Sequence, residues 1–216
     1  MNNLADFKYQ LEIAEKTGVE LLVILGAEKI TDAETQRLKT YCSNGIFPDD
    51  NVKYYEYNIS RPKFTGKTVE IPGVSYLVDH EKRYDVISQI NKEFNYRGYY
   101  SFVSDKSYRE DGKVTVSVVK GDDQYRILQL QQTNGANYSI SNDRLISLLK
   151  EFEKKYAFDI LGADFDWCEL RLRQLPSDWI DLAEEVLTLC PSDEVTSQEF
   201  ASALESDKGW VFLWWD

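Results

Sequence analysis

Residues 209–216 read GWVFLWWD, and this stretch limits the fold more tightly than any other in the chain. The side chains of 210–216 are three tryptophans, Val211, Phe212, Leu213 and one carboxylate, Asp216. Chain ends are usually polar and frayed unless something ties them down, so this apolar end predicts a docked element. Alternate side chains of a strand face opposite ways, which puts Trp210, Phe212 and Trp214 on one face and Val211, Leu213 and Trp215 on the other. With both faces apolar, the expectation is a strand inside its sheet, covered on both sides. Three buried indoles at about 200 Å² each would contribute up to ~15 kcal/mol, an upper bound.

The rest of the chain is able to supply such a core. At 216 residues it is long enough to bury roughly 70% of its unfolded surface. Hydrophobic residues at 43% and charged residues at 29% are ordinary globular values. Cys42, Cys168 and Cys190 are far apart, no CxxC occurs, and His80 is the single histidine. A structural zinc site needs about four clustered sulfur or nitrogen ligands, which this set does not supply. An odd cysteine count and the polar opening MNNLADFKYQ are read as cytoplasmic. No apolar run reaches the ~18 residues of a spanning helix, so no membrane role is expected.

Charge is unevenly placed. Of the formal −12, residues 1–100 hold 13 Lys/Arg against 15 Asp/Glu, whereas residues 101–216 hold 12 against 22. Between Arg173 and Lys208 there is no basic residue, while nine acids occur, among them Asp178, Asp181, Glu184 and Glu185. Such a field repels phosphate backbones, which argues against nucleic acid, and attracts a basic protein partner. It is also the pattern of a plain solvated face.

Periodicity gives a helix over 4–17 with Leu4, Phe7, Leu11 and Ala14 on one side, ended by Gly18. VELLVILGA (19–27) reads as a buried strand. Thr31 and Glu34 form a capping-box pair opening a helix with Leu38, Tyr41 and Cys42. VKYYEYNI (52–59) reads as a strand and SRPKFTGK (60–67) as a linker. The expectation is therefore an N-terminal α/β extension, residues 1–66, followed by a main domain, residues 67–216. In the main domain, 69–78 reads as extended and 80–96 as a helix, with strands at 98–104, 113–120 and 124–132. REDGK (109–113) reads as a hairpin loop. Leu145, Leu148, Leu149, Phe152 and Tyr156 mark a helix over 142–156. Residues 158–173 are extended with a break at Gly162. Residues 175–191 form a helix with Trp179, Leu182, Ala183, Val186 and Leu189 inward, halted by Pro191. Thr196 and Glu199 cap a last helix.

Several of these stretches carry a resemblance. IPGVSYLV (71–78), RGYYSFVSD (97–105), TNGANYSIS (133–141), FDILGADFDWCELRLRQLP (158–176), LAEEVLTLCP (182–191) and FLWWD (212–216), in that order and spacing, resemble a bacterial family, domain of unknown function 4253. The resemblance implies a shared α+β fold from about residue 70 onward and carries no catalytic set. The chain departs from the family after Cys190-Pro191, where SDEVTSQEF replaces an Asp followed by a Gln-Gly segment.

Three constellations are candidates for function. Asp164 and Asp166, with Glu169 nearby, have the oxygen chemistry to hold a divalent cation or to share acid–base work, and equally to make turn bonds or pair with Arg171 or Arg173. The loop residues Thr133, Asn134, Asn137 and Tyr138 precede a helix start, where a ligand's carboxyl group or an anion would find backbone N–H groups; Asn134-Gly135 also suits a plain turn. The third is the acidic surface of Asp178, Asp181, Glu184 and Glu185. Neither GxSxG, GxGxxG nor a phosphate-loop lysine is present, so any cofactor stays unknown from the motifs.

The sequence thus predicts an α+β protein: a central mixed β-sheet flanked by helices, closed by the Trp-rich strand. Its first functional reading is a non-enzymatic binding protein whose acidic surface meets a basic partner, as toxin-neutralising immunity proteins do. The alternative is an enzyme or small-ligand or metal-binding protein using Asp164, Asp166 and Glu169 beside the 133–138 loop.

Overall fold

The computed structural model describes residues 4–37, 72–105, 112–192 and 195–215. Its strands are β1 (Gln36–Arg37), β2 (Gly73–Asp79), β3 (Tyr99–Asp105), β4 (Lys113–Lys120), β5 (Phe158–Ala163), β6 (Trp167–Leu172) and β7 (Trp210–Trp214). They form one mixed sheet in the order β1-β2-β4-β3-β5-β6-β7. Neighbours are antiparallel except β3 and β5, which run parallel and meet at a single register pair, Val103 opposite Gly162. The chain has the α+β architecture expected of it, with the Trp-containing strand in the sheet.

Helices cover both faces. On one lie α1 (Leu4–Thr17), α2 (Leu21–Thr31) and α3 (Arg83–Phe94), around a core that takes Val74, Tyr76 and Val78 from β2 and Val114, Val116 and Val118 from β4. On the other lie α4 (Arg126–Gln131), α5 (Asn142–Lys155), α6 (Trp179–Leu189) and α7 (Ser197–Ser206), over Phe158, Ile160, Cys168, Leu170, Val211 and Leu213. Strand alternation creates the two cores, because successive side chains of one strand go to opposite layers. Each fully buried Phe, Ile or Leu contributes about 1.5–3 kcal/mol to this packing.

Local chemistry sets the helix starts. Ser141 accepts the N–H of Arg144 at the head of α5, and Asp178 accepts those of Ile180 and Asp181 at the head of α6. Thr196 and Glu199 form the reciprocal capping box of α7, as the sequence predicts. In α6, Leu182, Ala183, Val186 and Leu189 are buried, again on the expected face.

The structure corrects the sequence reading at several points. Residues 19–27 are not a strand: Leu21–Thr31 is helix α2, burying Val23, Ile24 and Ala27. A short wholly apolar run has no period to distinguish strand from helix. Thr31 closes this helix instead of opening another, its hydroxyl donating to Ala27 O at 2.8 Å, with Asp32 left-handed at φ 50°. Residues 124–132 are not a strand either. Asp123 Oδ1 accepts the N–H of Tyr125, starting the turn into α4, and Gln132 at φ 54° ends it. In α1 Gln10 and Ile13 are buried and Ala14 packs on the core as expected, while Phe7 and Leu11 are exposed.

The largest correction concerns β7. It is an edge strand of the described sheet, not an interior one. Val211, Leu213 and Trp215 are buried, but Phe212 and Trp214 are 49% and 53% exposed. The layer containing α3 sits over β2, β4 and β3 and reaches β7 through Tyr84, which stacks on Trp210, while Phe212 packs on Trp167. Only one of the three indoles, Trp215, is fully buried.

The helix expected to carry Leu38, Tyr41 and Cys42, the strand at 52–59, the linker at 60–67 with its domain boundary, and most of the 109–113 loop lie outside the described residues. Residues 4–37 share their core with β2, β4 and α3. No helix among the described residues is long and apolar enough to cross a membrane.

Candidate functional site

The acidic surface is built on α6 and α7, which pack against each other. Their inward positions are apolar, so the acids on these two helices face outward. Lys155, the last residue of α5, reaches this surface and bonds Asp181 at 2.7 Å and Glu185 at 2.9 Å. Asp181 also receives the hydroxyl of Tyr156. The Lys155 bond, then the Tyr156 bond, hold the Asp181 carboxyl below its usual range. Burial, reinforced by the Asp181 bond and charge, pushes Tyr156 up to about 12. Asp178 spends its carboxylate on the start of α6, while Glu184 and Glu205 are exposed. Four predicted residues thus divide: Asp181 and Glu185 meet at Lys155, Asp178 caps, and Glu184 faces solvent.

The second constellation is partly assembled. Asp164 does not lie within an unbroken strand: residues 164–166 turn between β5 and β6, with Asp164 N–H donating to Trp167 O at 3.0 Å. The 133–138 loop docks on this turn through Asn134 N–H to Phe165 O, at 2.9 Å. Trp215 closes the junction, its N–H donating to Asp166 O at 2.8 Å and its carbonyl accepting from Asn137 Nδ2 at 3.4 Å. Gly135 permits this approach, since a Cβ there would stand 2.7 Å from Trp215 Cδ1. Asn134 is buried and uses its amide locally, donating to Gln132 O and accepting from Ala136 N–H. Thr133 is buried with its hydroxyl unpartnered, and Tyr138 is exposed. Glu169 points elsewhere, toward α3, where it accepts the hydroxyl of Tyr84 at 2.8 Å. No three His, Cys, Asp or Glu among the described residues gather closely enough to hold a metal ion.

A third feature has no sequence signature. Beyond Val103 and Gly162 the parallel strands β3 and β5 part, and a cleft of about 390 Å³ opens near their N-terminal ends. Side-chain amides satisfy both exposed strand edges. Asn91 Oδ1 accepts Ser101 N–H at 2.7 Å on the β3 side. Gln124 Oε1 accepts Ile160 N–H at 2.9 Å on the β5 side, and Gln124 Nε2 donates to Phe158 O at 3.2 Å. Around the rim, Lys150 pairs with Asp123 at 3.2 Å and Arg173 with Asp159 at 2.8 Å. Tyr125 donates its hydroxyl to Glu153 at 2.8 Å.

Comparison with known families bears on the segment that holds the acidic helices, the loop junction and most of the cleft. Residues 115–216 match DUF4253, a domain of unknown function. The DUF4253 match begins within β4 and runs through β7, so it starts later than the resemblance drawn from the sequence. IPGVSYLV and RGYYSFVSD, which supply β2 and β3, precede it. No curated protein and no solved structure matches the chain.

The loop, the 164–166 turn, the acidic helices and most of the cleft lie inside the DUF4253 segment, but Asn91 and Tyr84 do not. Sequence reading missed Gln124, Lys150, Glu153 and Arg173 because their spacing follows no motif. They meet only when the turn after β4, helix α5 and the end of β6 are packed together. Gln124 lies in the turn KGDDQ (120–124), and a glutamine in a turn carries no special meaning by itself.

Proposed function

We propose that this chain is a bacterial, cytoplasmic, non-enzymatic interaction protein whose α6–α7 surface meets a basic protein partner, as immunity proteins meet basic toxins. The observation that carries the reading is the absence of any Lys, Arg or His from 174–207, on two helices whose outward positions are acidic or neutral. Against this face Lys155 is a single countercharge shared by two carboxylates. A field of one sign speeds association with an oppositely charged partner and repels nucleic acid. Immobilised protein is expected to capture a basic partner at low salt and to release it as ionic strength rises past ~0.15 M, where the Debye length is about 8 Å. The double reversal Glu184→Lys with Glu205→Lys should abolish capture without lowering the melting temperature. Capture indifferent to both salt and reversal would overturn the proposal.

A second reading, an enzyme or small-ligand binder, draws on the junction of the 133–138 loop with Asp164 and Asp166. Its support is the Asn134–Phe165 bond that brings the two together. Divalent cations and small carboxylates should then raise the melting temperature, and an Asn137→Ala variant should lose the rise. A flat response across such a panel would dispose of it.

A further inference from the structure

We propose that the split between β3 and β5 is a binding site for a small amide-bearing zwitterion, the chemistry of a dipeptide. The reading is independent of the acidic surface and of the 133–138 loop. Where two parallel strands part, each leaves a row of backbone donors and acceptors facing the gap, and buried groups of this kind must be paired. Here side-chain amides take the place of a missing neighbour strand: Asn91 against Ser101 and Gln124 against Phe158 and Ile160. A ligand peptide group carries its donor and acceptor on opposite sides, so lying between the strands it would accept from Ser101 N–H on one edge and donate to Phe158 O on the other. Each of these bonds replaces one that a side-chain amide now makes, whereas an apolar ligand that displaced the amides would leave the backbone groups unpaired.

The rim supplies both signs of charge. Lys150 and Arg173 stand available to a ligand carboxylate, and Asp123, Glu153 and Asp159 to an ammonium group. The Lys150–Asp123 and Arg173–Asp159 pairs are about half exposed, at 49%/50% and 49%/47%. Pairs this exposed are worth roughly 0–1 kcal/mol, so their members can be re-partnered at small cost. Beneath them Tyr125, Ile127 and Ile160 are 3%, 1% and 2% exposed, an apolar floor for a small side chain. The volume of about 390 Å³ lies at the small end of ligand pockets and accommodates two residues.

The test uses the full chain and three probes: alanyl-alanine, its N-acetyl derivative without the ammonium, and its C-terminal amide without the carboxylate. Alanyl-alanine at about 100 times its dissociation constant should raise the melting temperature by roughly 5–10 °C. Each capped probe should bind at least about tenfold more weakly. In Lys150→Ala and Arg173→Ala the response to alanyl-alanine should fall to that of the C-terminal amide. Should a variant not fold, the wild-type side-chain amide resonances of Asn91 and Gln124 serve instead, and they should move on titration. No shift with alanyl-alanine, equal responses to all three probes, or an amide spectrum unmoved at Asn91 and Gln124 would overturn the site.

Discussion

The hydroxyl of Tyr84 donates to Glu169 Oε2 at 2.8 Å, linking the first turn of α3 to the middle of β6 across 85 positions of sequence. Around this bond the Tyr84 ring lies 4.3 Å from that of Trp210, with Arg83 over Tyr84 and Arg171 over Trp210. The result is a pair of rings, each with a cation over it, that ties α3 to the last two strands of the sheet. Glu169 is only 9% exposed, and the bond gives its carboxylate a donor inside the protein. Burial first, and then the Glu169 charge, push the Tyr84 hydroxyl far above its ordinary range, so it stays a donor at any physiological pH.

Removing that donor is expected to destabilise the fold. Tyr84→Phe keeps the ring stack and deletes one hydrogen bond to a charged group, which costs about 1.5–3 kcal/mol. Urea denaturation of wild type and variant measures the difference. An unchanged midpoint would show that the carboxylate gains nothing from the phenol.

The two neighbouring tryptophans of β7's end should behave oppositely. Trp215 is 2% exposed and donates its indole N–H to Leu189 O at 2.9 Å, so Trp215→Ala should cost about 3–5 kcal/mol. Trp214 is 53% exposed, and Trp214→Ala should cost less than about 1 kcal/mol. Thermal melts of both variants decide the matter, and similar losses would contradict the edge position of β7.

Alkaline stability should report on Tyr156. Its folded value of about 12 lies above the ordinary 10.0. A raised value means that the stabilisation is whole below pH 10 and fades as pH climbs through 12. Tyr156→Phe should therefore flatten the fall in melting temperature over that window. A wild-type curve already flat between pH 10 and 12 would count against the Asp181 contact.

Cys190 should be a sluggish thiol. Burial raises its pKa, and the thiol donates to Trp214 O at 3.0 Å. Alkylation at pH 8 is expected to run several-fold slower than for a free cysteine, and to quicken when residues 214–216 are removed. Mass spectrometry of the Cys190 peptide over time checks both rates.

How much of this was legible beforehand depended on how local the cause was. The faces of α5 and α6 and the cap at Thr196 were readable because a helix's buried stripe and its first-turn donors are set within a few residues. VELLVILGA was not, since a wholly apolar run satisfies strand and helix alike. Among the site candidates, the 133–138 loop meets the 164–166 turn through Asn134 N–H and Phe165 O. Glu169 did not join them, because the turn at 164–166 and the β6 register direct it to Tyr84.

Sequence alone determined the class of the protein: the helical stripes, the caps, the apolar alternation of the strands and the acidic run of 174–207 are properties of neighbouring residues. Only the tertiary structure decided that β7 lies at the sheet's edge, that Tyr84 finds Glu169, and that Asn91 and Gln124 fill the parting of β3 and β5. Strand order and helix placement join residues far apart in the chain. Such pairings are selected by the packing of whole layers, which no short window of sequence contains.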